Sequence, residues 1–221
     1  MPDSIDPQRK QWEQTYIDKP GMFGEQPSAA GQAAADLFEQ EGVATILELG
    51  GGHGRDTLFF ARRGFDVTVL DYAVQGVAEI ENRARNVGHE DSVIATAHDV
   101  RTPLPVADAT VDGCFSHMLF CMAMSTPELE ALTREVWRVL RPGGWHVYTV
   151  RNTSDPHFGV GIHHGEDRYE TGGYQVHFFN RQKVEQLAQG FELTAIDEFD
   201  EGVLPRRLFR VTLRKPANTA T

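Results

Sequence analysis

Cysteine is nearly absent from this chain. Cys114 and Cys121 are the only two among 221 residues, and they lack the C-x-x-C spacing of a zinc or redox site. No disulfide framework is expected, and both read as free thiols in a reducing compartment. Long apolar runs are missing too: no stretch approaches the roughly eighteen residues of a membrane span, so no membrane partner is expected. The opening residues, Met1-Pro2-Asp3-Ser4-Ile5-Asp6-Pro7, carry neither the basic nor the apolar region of a signal peptide, which predicts a cytoplasmic location. Positive charge is in deficit, with 21 Lys and Arg against 32 Asp and Glu and a formal net charge of −11. That balance disfavours a phosphate-backbone binder, and no nucleic-acid partner is expected. What is present is ordinary: 40% hydrophobic, 10% aromatic and 24% charged residues describe one globular domain with a sizeable core.

One segment stands out. Thr45-Ile46-Leu47-Glu48-Leu49 is an apolar run reaching an acid, and it breaks into glycines at Gly50, Gly52 and Gly54 before Arg55-Asp56 opens a helical pattern. A buried strand therefore ends in a loop where backbone can touch a ligand unobstructed. A second apolar run, Phe65 to Leu70, ends in Asp71. An acid at the tip of the second strand of a βαβ unit is placed to take the two hydroxyls of a ribose. A dinucleotide fingerprint, G-x-G-x-x-G, holds a pyrophosphate at a helix N-terminus. Here the spacing is E-x-G-x-G-x-G, and Glu48 would repel a pyrophosphate while attracting a cationic amino group.

This pattern resembles the class I S-adenosylmethionine-dependent methyltransferases, whose first motif is an acid-x-G-x-G-x-G strand end followed by an acidic second-strand end. His98-Asp99 after a third strand, Val111 to Ser116 as a fourth, and Leu140-Arg141-Pro142-Gly143-Gly144 before a fifth extend the likeness over about residues 43 to 151. The resemblance implies S-adenosylmethionine as cofactor, with S-adenosylhomocysteine as its product. It implies that Glu48, with Gly50, Gly52 and Gly54, meets the amino-acid tail and that Asp71 holds the ribose. Tyr72 and Val100 would flank the adenine, and Asp99, beside His98, would accept from its amino group. Ser116 and His117 would line the methionine portion. Arg55 either reaches the methionine carboxylate or covers the sheet edge.

The residues after the fourth strand, Ser116-His117-Met118-Leu119, are not the Asn or Asp-Pro-Pro-aromatic tetrapeptide of adenine and cytosine amino methyltransferases. No acidic metal set like that of the catechol type is visible, and no metal is expected. Met118, Phe120 and Met122, expected to face the pocket, and the N-terminal aromatics look more like the small-molecule group that includes tellurite, thiopurine and thiol methyltransferases and the ubiquinone-type C-methyltransferases.

Along the chain, residues 8 to 28 mix aromatics with turn formers and are expected to lie across the surface rather than form a long helix, and the resemblance implies that residues 1 to 28 form a lid over the cofactor. Trp12, Tyr16 and Phe23 either contact the cofactor or anchor this segment to the core. Residues 29 to 215 are expected to form one domain: a Rossmann-like, doubly wound, mostly parallel α/β sheet of seven strands with helices on both faces, closed by a C-terminal antiparallel hairpin around Pro205. Ser28 is expected to cap a helix over Ala29 to Gln40. Glu128, Glu130 and Glu135 are expected on the solvent face of a helix from Pro127 to Leu140. Residues 152 to 177 read as a long irregular substrate loop, and 216 to 221 as a flexible tail.

Methyl transfer to a thiol or a protonated amine benefits from a base, and histidine titrates in the right range. His157, His163, His164 and His177, with Glu166 and Tyr169, fall in or beside the loop expected to close over the acceptor, and His117 follows the fourth strand. The expected catalytic set is His117, His163, His164, His177 and Tyr169. Arg206-Arg207 either reach an anionic substrate or form a solvated turn. The function implied is methyl transfer to a small-molecule acceptor at sulfur, nitrogen, oxygen or another soft nucleophile, by a monomer or homodimer. The alternatives are a protein or peptide acceptor and a non-catalytic S-adenosylmethionine-binding regulatory module.

Overall fold

Strands β1 (Thr45–Leu49) and β2 (Asp66–Asp71) form a parallel pair in register from Thr45 opposite Asp66 to Leu49 opposite Leu70. The computed structural model describes residues 6–19, 21–202 and 206–217. Around this pair lie β3 (Val93–Ala97), β4 (Val111–His117) and β5 (Leu140–Arg151), then β9 (Glu192–Glu201) and β10 (Arg206–Arg214), in the order β3-β2-β1-β4-β5-β10-β9. Strand β10 runs antiparallel to both its neighbours, and the other pairings are parallel. The chain moves outward from β1 to β3 and then returns to place β4 on the other side of β1. That reversal opens a crevice beyond the carboxyl ends of β1 and β4, where ligands bind in open α/β sheets.

Side chains alternate along the central strands, so each face builds its own core. Leu47, Leu49, Cys114, Tyr148 and Val150 pack against α5 (Thr126–Val139) and α6 (Arg181–Leu187). Ile46, Val67, Val69, Phe115 and Val147 pack against α2 (Ala29–Gln40), α3 (Arg55–Arg62) and α4 (Val74–Asn86). Burial on both faces explains why these strands are nearly unbroken apolar runs.

Ser28 caps α2 by accepting the Gly31 N–H at 2.8 Å, an arrangement worth about 1 kcal/mol. Glu128 and Glu135 depart from the expected solvent face. Glu128 accepts from the Ser125 N–H and hydroxyl as a capping box for α5, and Glu135 accepts the Leu104 N–H while pairing with Arg138.

Two segments expected to be irregular are ordered. Residues Pro7–Asp18 form α1, with Asp6 accepting the Gln8 N–H at 2.8 Å and Pro7 in the first turn. An Asp cap followed by proline starts a helix even where the sequence beyond is polar all round. The 152–177 connection contains a second, three-stranded sheet of β6 (Ile162–His163), β7 (Arg168–Thr171) and β8 (Tyr174–His177). Gly172 and Gly173 form its two-residue turn, both at positive φ, as such hairpins require. Pro205 and residues 218–221 of the tail lie outside the described residues, and no described helix is long and apolar enough to cross a membrane.

Candidate functional site

The crevice is a cavity of about 580 Å³, within the range of small-molecule sites. Its floor is the turn after β1. Gly52 sits at φ +59 with its N–H donating to Asp71 Oδ2 at 2.9 Å. Gly51 has no room for a side chain: a Cβ there would lie 2.4 Å from Val69 Cγ1. The loop therefore lies flat on β2 and turns backbone toward the cavity.

Three buried acids surround this floor. Asp71 takes N–H donors from Gly52 and, at 2.9 Å, from Ala73; burial outweighs these donors and pushes its carboxyl up to about 6. Glu48 takes the Thr57 hydroxyl at 2.5 Å. Burial, reinforced by neighbouring Asp56, pushes Glu48 up to about 8. Asp56 is tied to the start of α2, accepting the Ser28 N–H at 2.6 Å and the Ser28 hydroxyl at 2.9 Å. A buried acid held protonated for lack of a counter-charge becomes a carboxylate when a cation arrives.

The opposite wall comes from β4, β5 and β9. Thr149 Oγ1 accepts the Met118 N–H at 3.0 Å and lies 2.9 Å from His117 Nδ1, while His117 Nε2 lies 3.1 Å from Glu201. The arrangement that leaves no donor idle has Thr149 donating to Nδ1 and the Nε2 proton going to Glu201. Arg55 completes the bridge, donating to Glu201 at 3.3 Å and to the Phe23 carbonyl at 3.1 Å. Burial alone would raise the Glu201 carboxyl, but His117 and Arg55 carry it down to about 2. Met118, adjacent to His117, adopts φ +64, a strained conformation for a side-chain-bearing residue of the kind that collects at functional sites.

Helix α1 and the β7–β8 hairpin form the roof. Gln8 Nε2 donates to the Gly173 carbonyl at 2.7 Å, its Oε1 accepts the Gln175 N–H at 3.1 Å, and the Thr15 and Tyr174 hydroxyls are hydrogen-bonded. Glu13 accepts the Val74 and Gln75 N–H groups at 2.8 and 3.2 Å, capping α4 from α1. Arg101 binds Asp6 at 2.6 Å and also holds Asp99, so the carboxylate expected to meet an adenine is paired with a guanidinium.

Most residues singled out from the sequence converge here. Trp12, Tyr16 and Phe23 line the roof side; Glu48, Gly50, Gly52 and Arg55 the floor; Asp71, Tyr72, His98, Asp99 and Val100 the far end; His117 and Tyr169 the remaining wall. Several others do not line the cavity. Gly54 is the N-cap of α3, turned toward Ile80. Ser116 is fully buried, its hydroxyl without a partner. His163 is exposed and stacks on Tyr169 with ring centroids 4.7 Å apart, and His164 pairs with Glu170 at 2.9 Å. His177 is buried, with Nδ1 2.8 Å from the Met124 carbonyl. Pairing puts His163 on the same face as Tyr169 but on the outer edge strand β6, His164 follows that strand, and His177, next to Tyr169's partner Val176, points to the opposite face; Tyr169 and the preceding His157 line the cleft. Phe120, expected to face the pocket, is instead in the core, stacked on Tyr148. Glu166 caps α5 through Thr126. Among the described residues no group of three or more His, Cys, Asp or Glu gathers as a metal site.

Sequence reasoning missed Gly51, Glu201 and Arg151. Gly51 was legible as a glycine between glycines. Glu201 and Arg151 reach the cleft only through the pairing of β9, β10 and β5, for which no local pattern exists.

Comparison with known proteins agrees with this geometry. Residues 46–144 match the family model of the methyltransferase domain. The chain is 33% identical over 106 residues to a fatty-acid O-methyltransferase of Mycolicibacterium smegmatis, covering 47% of this chain and 36% of that protein. It is 32% identical over 143 residues to an uncharacterized methyltransferase of Mycobacterium sp. (strain JLS), covering 60% and 52%. The matches thus span a third to a half of these relatives' lengths. Among solved structures, Burkholderia thailandensis 1,6-didemethyltoxoflavin-N1-methyltransferase, with bound 1,6-didemethyltoxoflavin and S-adenosylhomocysteine, superposes with a TM-score of 0.74 at 19% identity, over 95% of this chain and 88% of that one. The family match runs from β1 to the start of β5, and the superposition shows that the chain shares the fold of the Burkholderia methyltransferase.

Proposed function

We propose that the protein transfers the methyl group of S-adenosylmethionine to a small-molecule acceptor by in-line displacement. The observation that carries this reading is the convergence of Glu48, the Gly50–Gly52 backbone and Asp71 on one side of a roofed cavity. A pyrophosphate would find no counter-charge in three buried acids there; an α-ammonium group and a ribose diol would meet partners. The family match and the S-adenosylhomocysteine held by the Burkholderia enzyme support this choice of cofactor.

In this reading Glu48 takes the α-ammonium group and ionises as it does so. Asp71 keeps two backbone donors and uses its remaining lone pairs for the ribose hydroxyls. Tyr72 and Val100 sandwich the base. The sulfonium is already an excellent leaving group, so the protein's contribution is alignment and exclusion of water by α1 and the β7–β8 hairpin. His117, held at Nδ1 by Thr149 and at Nε2 by Glu201, shapes the wall beside the acceptor, and in that arrangement neither ring nitrogen has a lone pair left to take the acceptor's proton.

The roof favours a small acceptor over a peptide, which needs an open groove. Incubation with methyl-labelled S-adenosylmethionine and a panel of thiols, amines, phenols and carboxylic acids tests the assignment. Label in any small acceptor is the expected result; tight cofactor binding with transfer to none would instead favour a regulatory module.

A further inference from the structure

The cleft's second half is lined by soft and aromatic groups. Met118, Met122 and Met124, from the segment after β4, line the cavity together with Met22, so that four of the chain's five methionines face it. Trp12, Tyr169, Tyr174 and Phe178 supply ring faces and edges. Methionine adapts to irregular apolar shapes and contacts aromatic rings favourably. This wall therefore suits a flat, largely apolar body.

One end of that half is different. Strand pairing sets Arg151 opposite Leu208, and Arg206, two residues from Leu208, points to the same face of the sheet. Arg151 is buried and fixed: Nε and Nη2 donate to Asp155, Nη2 also donates to His157 Nδ1 at 2.9 Å, and Phe178 lies under the guanidinium 5.2 Å away. Nη1 makes no hydrogen bond among the described residues. A guanidinium has no lone pair to give, so His157 Nδ1 accepts and its Nε2 carries a proton. Arg206 lines the cleft and forms no ion pair among the described residues.

The acidic groups facing this corner are already engaged. Asp155 neutralises Arg151 in part, but it also accepts the His157 and Arg207 N–H groups at 2.8 and 2.9 Å. Glu201, opposite Arg206 on β9, is held by Arg55 and His117. What remains on these three lining residues is a set of donors without a hydrogen bond among the described residues: Arg151 Nη1, His157 Nε2 and the Arg206 guanidinium.

We propose that Arg206, Arg151 and His157 form an anion subsite, and that the methyl acceptor is a planar or apolar molecule carrying a carboxylate or similar anionic group. Thr149, which orients His117, and Arg151 are two residues apart on β5, about 7 Å along an extended strand. The anion thus lies about one ring width from the His117 edge, so one molecule spans both. The acceptor role of this half rests on the function proposed above, whereas the anion subsite itself does not.

The test is calorimetric titration with 2-naphthoate and 2-naphthamide, with and without saturating S-adenosylhomocysteine, the binding of which is measured separately. Naphthoate is expected to bind at least tenfold more tightly than the amide, with affinity falling as salt rises. Arg206→Gln and His157→Gln should each weaken naphthoate severalfold or more, whereas Arg85→Gln on α4, a charge-matched control, should not. Equal binding of amide and acid, indifference to both cleft substitutions, or no naphthoate binding at all overturns the subsite. A protein that binds naphthoate but not S-adenosylhomocysteine keeps the subsite and loses the proposed reaction.

Discussion

Glu48 and Asp71 are both buried acids, yet they are held differently. Asp71 has two backbone donors, whereas Glu48 has one hydroxyl and two acidic neighbours, which is why its carboxyl rises further. In the unfolded chain Glu48 ionises near 4.5, in the fold near 8. Between those values the folded chain binds more protons, so this residue makes stability fall as pH rises. Glu48→Gln, isosteric and able to accept from Thr57, is expected to raise the Tm of the free protein, with a gain that grows from pH 5 to pH 8. One kcal/mol is worth about 2–4 °C in a chain of this size. A Tm difference that does not change with pH would remove Glu48 as the source. Asp71→Ala leaves two N–H groups and a ribose unpartnered and should weaken S-adenosylhomocysteine binding by roughly 1–3 kcal/mol; unchanged affinity by calorimetry would show that the ribose lies elsewhere.

Among the elements, α1 is the one most dependent on its neighbours. Only Thr15 is buried in it; its hydrogen bonds run from Glu13 to α4, from Gln8 and Thr15 to the β7–β8 hairpin and from Asp6 to Arg101, and Trp12 and Tyr16 add ring contacts to Tyr174 and His53. An element with one buried residue opens more readily than the core, as the proposed lid over a ligand would have to. Glu13→Ala removes the carboxylate capping α4, worth about 1 kcal/mol by analogy with other caps. It should speed S-adenosylhomocysteine dissociation about fivefold and raise hydrogen exchange in α1; an unchanged off-rate would mean the ligand leaves by another path.

The start of α1 was written locally, in Asp6-Pro7, and the β7–β8 turn in Gly172-Gly173. Both signals are short and sit among polar residues, so apolar periodicity passes over them. The histidines misled for a related reason: four in one connection suggest convergence, but once β6 to β8 pair, alternation sends them to different sides.

At the scale of the molecule, the sheet and the acid-and-glycine floor of its cleft were legible because strand runs, acids and glycines are local patterns. The acceptor wall was not, because β10 brings Arg206 beside Arg151 by a pairing some fifty residues distant in sequence. The core also carries a feature no pattern announces. His146 is fully buried among Phe120, Tyr148 and Phe191, neither ring nitrogen has a partner among the described residues, and burial pushes it down to about 3. Between pH 3 and its ordinary 6.5 the unfolded chain binds the extra proton, so stability contributed here falls as the solution is acidified. His146→Leu is expected to stabilise the fold by roughly 1–3 kcal/mol at pH 7, the cost of unpartnered buried polar groups, and by more at pH 5. Loss of stability on denaturant unfolding at both pH values would show that the ring packs too well to replace.

Titration calorimetry with S-adenosylhomocysteine at pH 7, in two buffers of different ionisation enthalpy, bears most directly on the acid-and-glycine floor. One ligand per chain should bind, with a proton released as the α-ammonium group ionises Glu48, and Glu48→Gln should abolish that release. Absence of binding heat together with an unshifted Tm at saturating ligand would contradict the assignment of this cleft.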